Sequence, residues 1–126
     1  MNIAFDLDGV LYPWHKSVYD YLTRLPNSLT RGKNYHEFWE DPYTEITEKE
    51  WSYYASLPIL YTNMIPSKPM LDMLRKLDSE GHTLYYITNR IPDLARITEQ
   101  YLNNYKFPQA ENLILSEDKA KEVRIL

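Results

Sequence analysis

The 126-residue chain contains no cysteine, so it has no disulfide framework, no thiolate metal site and no cysteine nucleophile. It also lacks a long basic run. Its 18 acidic residues outnumber 14 basic ones, which gives a formal charge of −4 and argues against a nucleic-acid backbone as partner. No apolar run is long enough to cross a bilayer, and no secretory signal is visible. We therefore expect a cytoplasmic protein that has no membrane partner and acts on a small substrate.

The composition is typical of a single globular domain. Hydrophobic residues make up 44% of the chain and charged residues 25%, close to the average for folded proteins. Two separate cores would leave about 60 residues for each, which is too few to bury much apolar surface. We therefore expect one compact unit.

Three short apolar segments predict buried strands, at residues 2–7, 83–88 and 112–115. The middle segment is a continuous run of β-favouring residues, as in a strand that helices cover on both faces. Apolar residues at helical spacing fill the sequence between the strands. This alternation predicts an α/β fold with a Rossmann-like parallel sheet.

Start and stop signals locate two of the predicted helices. Thr47 and Glu50 form a capping box at the start of one helix. Ser67 can cap another helix, and Gly81 is placed to end it. We expect a core interrupted by a small helical cap after strand one, with the core at residues 1–13 and 67–126 and the cap at residues 14–66.

Polar side chains follow each predicted strand at the edge where parallel sheets bind ligands. Asp6 and Asp8 end strand one, and Gly9 permits the sharp turn that exposes them. Two nearby carboxylates attract a hard cation, and Mg²⁺ suits such a pair together with water and a substrate phosphate. Thr88 after strand two and Lys119 after strand three supply a hydroxyl and an ammonium for phosphoryl oxygens.

The sequence resembles the haloacid dehalogenase superfamily of phosphohydrolases. Residues 5–11, Phe-Asp-Leu-Asp-Gly-Val-Leu, are similar to its first motif and residues 86–88 to its second. Lys119 is similar to the basic residue of its third motif, and the helical insert to its first type of cap. Residues 87–90 look most like the branch that contains 5′(3′)-deoxyribonucleotidases.

The resemblance implies a Mg²⁺-dependent phosphomonoester hydrolase that acts on a small phosphorylated substrate, a nucleotide in that branch. Asp6 would be the nucleophile that forms an aspartyl phosphate, and Asp8 the acid and base. Both carboxylates would belong to the metal site. Thr88 and Asn89 would orient the phosphoryl group, and Lys119 would offset its negative charge.

One departure from the family pattern concerns its fourth motif, which places further acidic metal ligands on a later strand. Only seven residues follow Lys119, and Glu122 is the one carboxylate among them. We therefore expect an apparently truncated core in which strand one is an open, apolar edge. A second copy of the chain or a partner protein would cover that edge.

Several alternatives remain open at this stage. A non-catalytic or weakly active fragment, or a phosphate-binding module, is the alternative to a complete enzyme. Thr88 could simply cap the next helix, and Lys121 competes with Lys119 for the third-motif position. Arg90 could equally bind a substrate phosphate or pair with a nearby acid. Three aromatic residues of the insert could stack on a nucleobase, namely Trp39, Tyr43 and Trp51. Core packing suits the two tryptophans better.

Overall fold

A computed structural model describes residues 1–26, 30, 32–40 and 46–126. Its sheet has three parallel strands in the order β1-β2-β3. The predicted α/β class and parallel sheet are therefore confirmed. The strands are β1 (Asn2–Asp6), β2 (Thr83–Thr88) and β3 (Leu113–Leu115).

Two of the predicted strands are each one residue too long. Leu7 leaves β1 because its carbonyl accepts the backbone N–H groups of the next turn, from Val10 to Tyr12. Asn112 belongs to a 3₁₀ turn that precedes β3. The apolar run alone does not mark these boundaries, because hydrogen bonds of the adjoining turns decide where each strand begins or ends.

Six α-helices lie within the described residues. None of them is long and apolar enough to cross a membrane. They are α1 (Trp14–Thr23), α2 (Tyr35–Glu40), α3 (Glu48–Ala55), α4 (Lys68–Ser79), α5 (Ala95–Asn104) and α6 (Lys119–Ile125). Short 3₁₀ turns at Pro58–Tyr61, Pro92–Leu94 and Ala110–Asn112 complete the set.

The predicted helix signals are in place. Thr47 Oγ1 accepts the Glu50 N–H at 3.1 Å, and the Glu50 carboxylate accepts the Thr47 N–H at 3.1 Å, which completes the capping box of α3. Ser67 caps α4 by accepting the Met70 N–H at 3.2 Å. Gly81 follows α4 with φ +88°, a left-handed conformation that favours glycine.

Two apolar clusters stabilise the chain, and Trp14 packs against both. The first lies between the sheet, α4 and α5, and its most buried members include Leu74, Leu84, Tyr86 and Leu102. The second lies within the helical insert, with these buried members: Val18, Leu22, Phe38, Ile46, Leu60, Tyr61 and Leu94. Since Leu94 belongs to the segment after β2, the insert packs directly on the core.

Strand β1 forms one edge of the sheet, with β2 as its neighbour. Helix α6 is tethered near both ends of this strand. The Asn2 side chain donates to the Leu126 carbonyl at 2.8 Å, and Lys119 donates to Asp6 at 2.6 Å. No residue of α6 is buried. A second copy of the chain on this edge stays a prediction.

Candidate active site

A tight turn after β1 places Asp8 beside the strand end. The carbonyl of Leu7 accepts three backbone N–H groups, from Val10, Leu11 and Tyr12, at 2.8 to 3.1 Å. Gly9 takes φ +82° and donates its N–H to the Tyr12 carbonyl. Asp8 therefore lies outside the strand, and this turn, rather than strand alternation, sets its position relative to Asp6.

Asp6 pairs with Lys119, the residue that the sequence suggests for the third motif. The Lys119 Nζ lies 2.6 Å from Asp6 Oδ1, and both side chains are about two-fifths exposed. Lys119 is the first residue of α6, whose N-cap is Asp118. The competing residue, Lys121, is exposed, and its backbone N–H serves the Asp118 cap. The structure thus brings Lys119 to the first aspartate.

Asp8 pairs with Arg90 through two hydrogen bonds. Arg90 Nε donates to Oδ2 at 3.0 Å, and Nη2 donates to Oδ1 at 2.6 Å. Such a two-pronged contact fixes the plane of a carboxylate as well as its distance. Of the two roles open to Arg90, the structure realises the contact with a nearby acid.

Arg90 is itself held on several sides. Its Nη1 donates to Thr98 Oγ1 at 3.0 Å, and Thr98 donates onward to the Leu94 carbonyl at 2.7 Å. The guanidinium carbon lies 4.4 Å from the centre of the Tyr61 ring and 5.3 Å from that of Tyr12. Burial raises the pKa of both tyrosine hydroxyls, so they remain neutral hydrogen-bonding groups at neutral pH.

Thr88 and Asn89 lie at the end of β2, next to Arg90. Thr88 is fully buried, and its hydroxyl accepts the Arg90 backbone N–H at 3.3 Å. Its carbonyl accepts the Ser116 N–H at 2.9 Å, which ties the loop after β2 to the loop after β3. Thr88 therefore shapes this turn, and its role as a phosphate ligand stays a prediction.

A cavity of about 300 Å³ opens beside Asp8, between the insert and the core. The core side is lined by Asp8 and the loop after β2, and the insert contributes two aromatic rings. Sequence reasoning assigned none of the insert residues to this space. Its lining is Asp8, Trp14, Ala55, Tyr61, Asn89, Arg90 and Ile91.

The two tryptophans named from the sequence lie elsewhere. Trp39 and Trp51 are partly buried and pack against the apolar cluster of the insert, with ring centres 5.8 Å apart. Tyr43 lies outside the described residues. The sequence carries no signal that places Trp14 at the cavity. Trp14 begins α1 directly after Pro13, and the apolar periodicity of this helix is recognisable only from Val18 onward.

The carboxylates differ in how well they suit Mg²⁺, which prefers a few oxygen ligands with water and substrate phosphate. Asp6 keeps Oδ2 clear of hydrogen bonds from the described residues. Both oxygens of Asp8 already contact Arg90. Among the residues with described positions, no three acidic, histidine or cysteine side chains gather as a metal-holding group. The arrangement therefore fits a side-chain ligand at Asp6 better than at Asp8.

The fold of the whole chain is similar to two solved structures of a class C acid phosphatase from Bacillus anthracis, one with tungstate bound. The first has a TM-score of 0.57 and 21% identity, and covers 98% of this chain and 45% of the other. For the tungstate complex the values are 0.53, 27%, 98% and 44%. The chain spans less than half the length of those proteins. No protein-family model and no curated protein matches it.

Proposed function

We propose that the chain hydrolyses phosphomonoesters and is a member of the haloacid dehalogenase superfamily. One observation carries the proposal: two acidic residues, each paired with a basic side chain, lie at the edge of a parallel sheet where its first strand ends. The likeness to acid phosphatase structures supports the same reaction class. A cavity adjoins one of the two acids, so a leaving group has a place beside it.

In the proposed reaction Asp6 is the nucleophile. Its carboxylate forms a bond to phosphorus while the ester P–O bond breaks, and the leaving oxygen takes a proton from the Asp8 carboxyl group. Water then attacks the aspartyl phosphate. Asp8 takes back a proton from that water, the bond between Asp6 and phosphorus breaks, and inorganic phosphate leaves.

Lys119 would stabilise the charge on the transferring group. Its ammonium lies 2.6 Å from the attacking carboxylate and is partly exposed, so it can turn toward an incoming phosphoryl oxygen. Thr88 and the Asn89 backbone would orient the same group.

Asp6 Oδ2 would be the side-chain ligand of Mg²⁺, and water and substrate oxygens would supply the other ligands. When bound, the ion supplies positive charge that offsets the developing charge on the phosphoryl oxygens.

We further propose a nucleotide as substrate. The rings of Trp14 and Tyr61 line the cavity beside Asp8, and aromatic faces suit a planar nucleobase. A nucleoside monophosphate should therefore be a better substrate than glycerol phosphate, which offers no ring to stack.

The direct test is turnover of p-nitrophenyl phosphate and of nucleoside monophosphates, with Mg²⁺ and with EDTA, by the wild type and Asp6→Asn. We expect hydrolysis by the wild type only, with the metal required. Asn cannot form the aspartyl ester, so the variant should fall to the level of buffer. Phosphate binding without turnover in the wild type would instead support a binding module, and activity in Asp6→Asn would contradict the covalent route.

A further inference from the structure

The most completely held ionic side chain near the cavity is that of Arg90, and the proposed reaction has no step for it. Its side chain is 2% exposed, and all three guanidinium nitrogens donate to a named acceptor. A substrate phosphate would have to displace these contacts in a space closed by two tyrosine rings. Direct phosphate binding is therefore the less suitable role.

The carboxylate of Asp8 needs another group to fix its orientation. The terminal torsion of an aspartate is broad, so a carboxylate on a turn can rotate about its last bond at little cost. Proton transfer in turn requires a fixed donor–acceptor geometry, and small misplacements cost large factors in rate. The Arg90 fork removes this rotation because it engages both oxygens of Asp8.

The fork leaves Asp8 able to react. Each carboxylate oxygen offers two lone pairs, and Arg90 uses one on each. Asp8 is still 22% exposed and lines the cavity, so a lone pair that Arg90 does not use can hold the proton that passes to the leaving oxygen, and later accept a proton from water.

We propose that Arg90 is a positioning residue that sets the carboxylate plane of Asp8 for proton transfer, with Thr98 and the cap residue Tyr61 holding Arg90 in turn. This inference rests on the proposed phosphatase function. It links the insert to the chemistry, since the Tyr61 ring packs on the guanidinium and its hydroxyl donates to the Ala55 carbonyl at 2.6 Å.

The test compares two aryl phosphates with leaving groups of different acidity. p-Nitrophenolate departs without a proton, whereas phenolate needs one, so a misplaced acid should impair phenyl phosphate more. Arg90→Lys keeps the charge but loses the fork. We expect it to lower kcat/KM for phenyl phosphate about 100-fold and for p-nitrophenyl phosphate about tenfold or less, with KM changed by less than about threefold.

Two further variants complete the series. Thr98→Val removes the acceptor of Nη1 together with the hydrogen bond that Thr98 donates to the Leu94 carbonyl, but it leaves the Arg90 fork intact. We expect a smaller loss with the same preference for p-nitrophenyl phosphate. Arg96→Met is the matched control, since Arg96 is an exposed arginine on the neighbouring helix α5. It should leave both rates unchanged. Equal losses with both esters, or a rise in KM alone, would overturn the positioning role.

A second measurement is independent of turnover. A double-mutant cycle with Arg90→Met, Asp8→Asn and the pair, followed by equilibrium unfolding, measures their coupling. We expect a coupling factor of about tenfold or more in the unfolding constant. Coupling in a chain without phosphatase activity would reject the proposed reaction but retain the Arg90–Asp8 constraint, whereas additive effects would reject the constraint itself.

Discussion

Asp6 and Asp8 stand two residues apart, yet their basic partners hold them in different ways. Lys119 reaches Asp6 from α6 through one hydrogen bond, and both side chains are about two-fifths exposed. Arg90 reaches Asp8 through two bonds and is almost completely buried. Thr98 on α5, which accepts a third hydrogen bond from Arg90, is buried as well.

This contrast separates a replaceable contact from a structural one. An exposed pair contributes about 0–1 kcal/mol, because water and salt compete with it. In the proposed reaction, Lys119 can therefore leave Asp6 for an incoming phosphoryl oxygen at little cost in free energy. Breaking a buried pair costs about 3–5 kcal/mol, because the remaining charge loses its compensation. The buried fork of Arg90 therefore holds Asp8 more firmly than Lys119 holds Asp6.

The largest effect on stability should come from Arg90→Met. Methionine fills part of the volume but removes every donor to Asp8 and Thr98, which leaves a carboxylate that is three-quarters buried without its cation. We expect the free energy of unfolding to fall by about 3 kcal/mol, measured by urea denaturation. Arg96→Met, at an exposed position, should change it by less than about 0.5 kcal/mol. A loss below about 1 kcal/mol for Arg90→Met would remove the distinction between the two pairs.

A smaller effect on stability is expected for Lys119→Met. Its partly exposed ion pair should contribute less than about 1 kcal/mol, and added salt should reduce even that. Activity should nevertheless fall about tenfold or more, since the ammonium adjoins Asp6, the carboxylate that we propose as nucleophile.

Lys121→Met is the matched control for this prediction, because Lys121 is an exposed lysine on the same helix. It should leave activity and stability unchanged. A stability loss of several kcal/mol for Lys119→Met would mean that the docking of α6 depends on this pair.

The fold was predictable where local signals agree with one another. Apolar β-favouring runs located all three strands, and the Thr47–Glu50 box marked the start of α3. Helix α6 was not predicted, since it buries no residue and therefore carries no clear apolar stripe. The exact end of β1 depended on three bonds to the Leu7 carbonyl, which no periodicity encodes.

The candidate site was predictable only in part. Asp6 ends β1, and Asp8 and Lys119 follow β1 and β3, so parallel topology alone brings them to one edge of the sheet. The choice of partners depends on side-chain reach and packing, which is why the sequence left Arg90 undecided. Tyr61 comes from a 3₁₀ turn about 50 residues from Asp8 in sequence, and only the docking of the insert places its ring there.

The weakest expected effect concerns alkaline pH and again involves the Arg90 side of the site. Burial raises the pKa of Tyr12 and Tyr61 above the ordinary value of 10.0, and also that of Tyr86 and Tyr101. Above about pH 10 the unfolded chain therefore binds fewer protons than the folded one, so stability falls as pH rises. Below that pH this contribution is complete and constant. Urea midpoints between about pH 8 and 11 should be level and then decline, and the decline should be shallower in Tyr61→Phe. An equally steep decline in Tyr61→Phe would show that the buried Tyr61 hydroxyl of the wild type contributes nothing to this pH dependence.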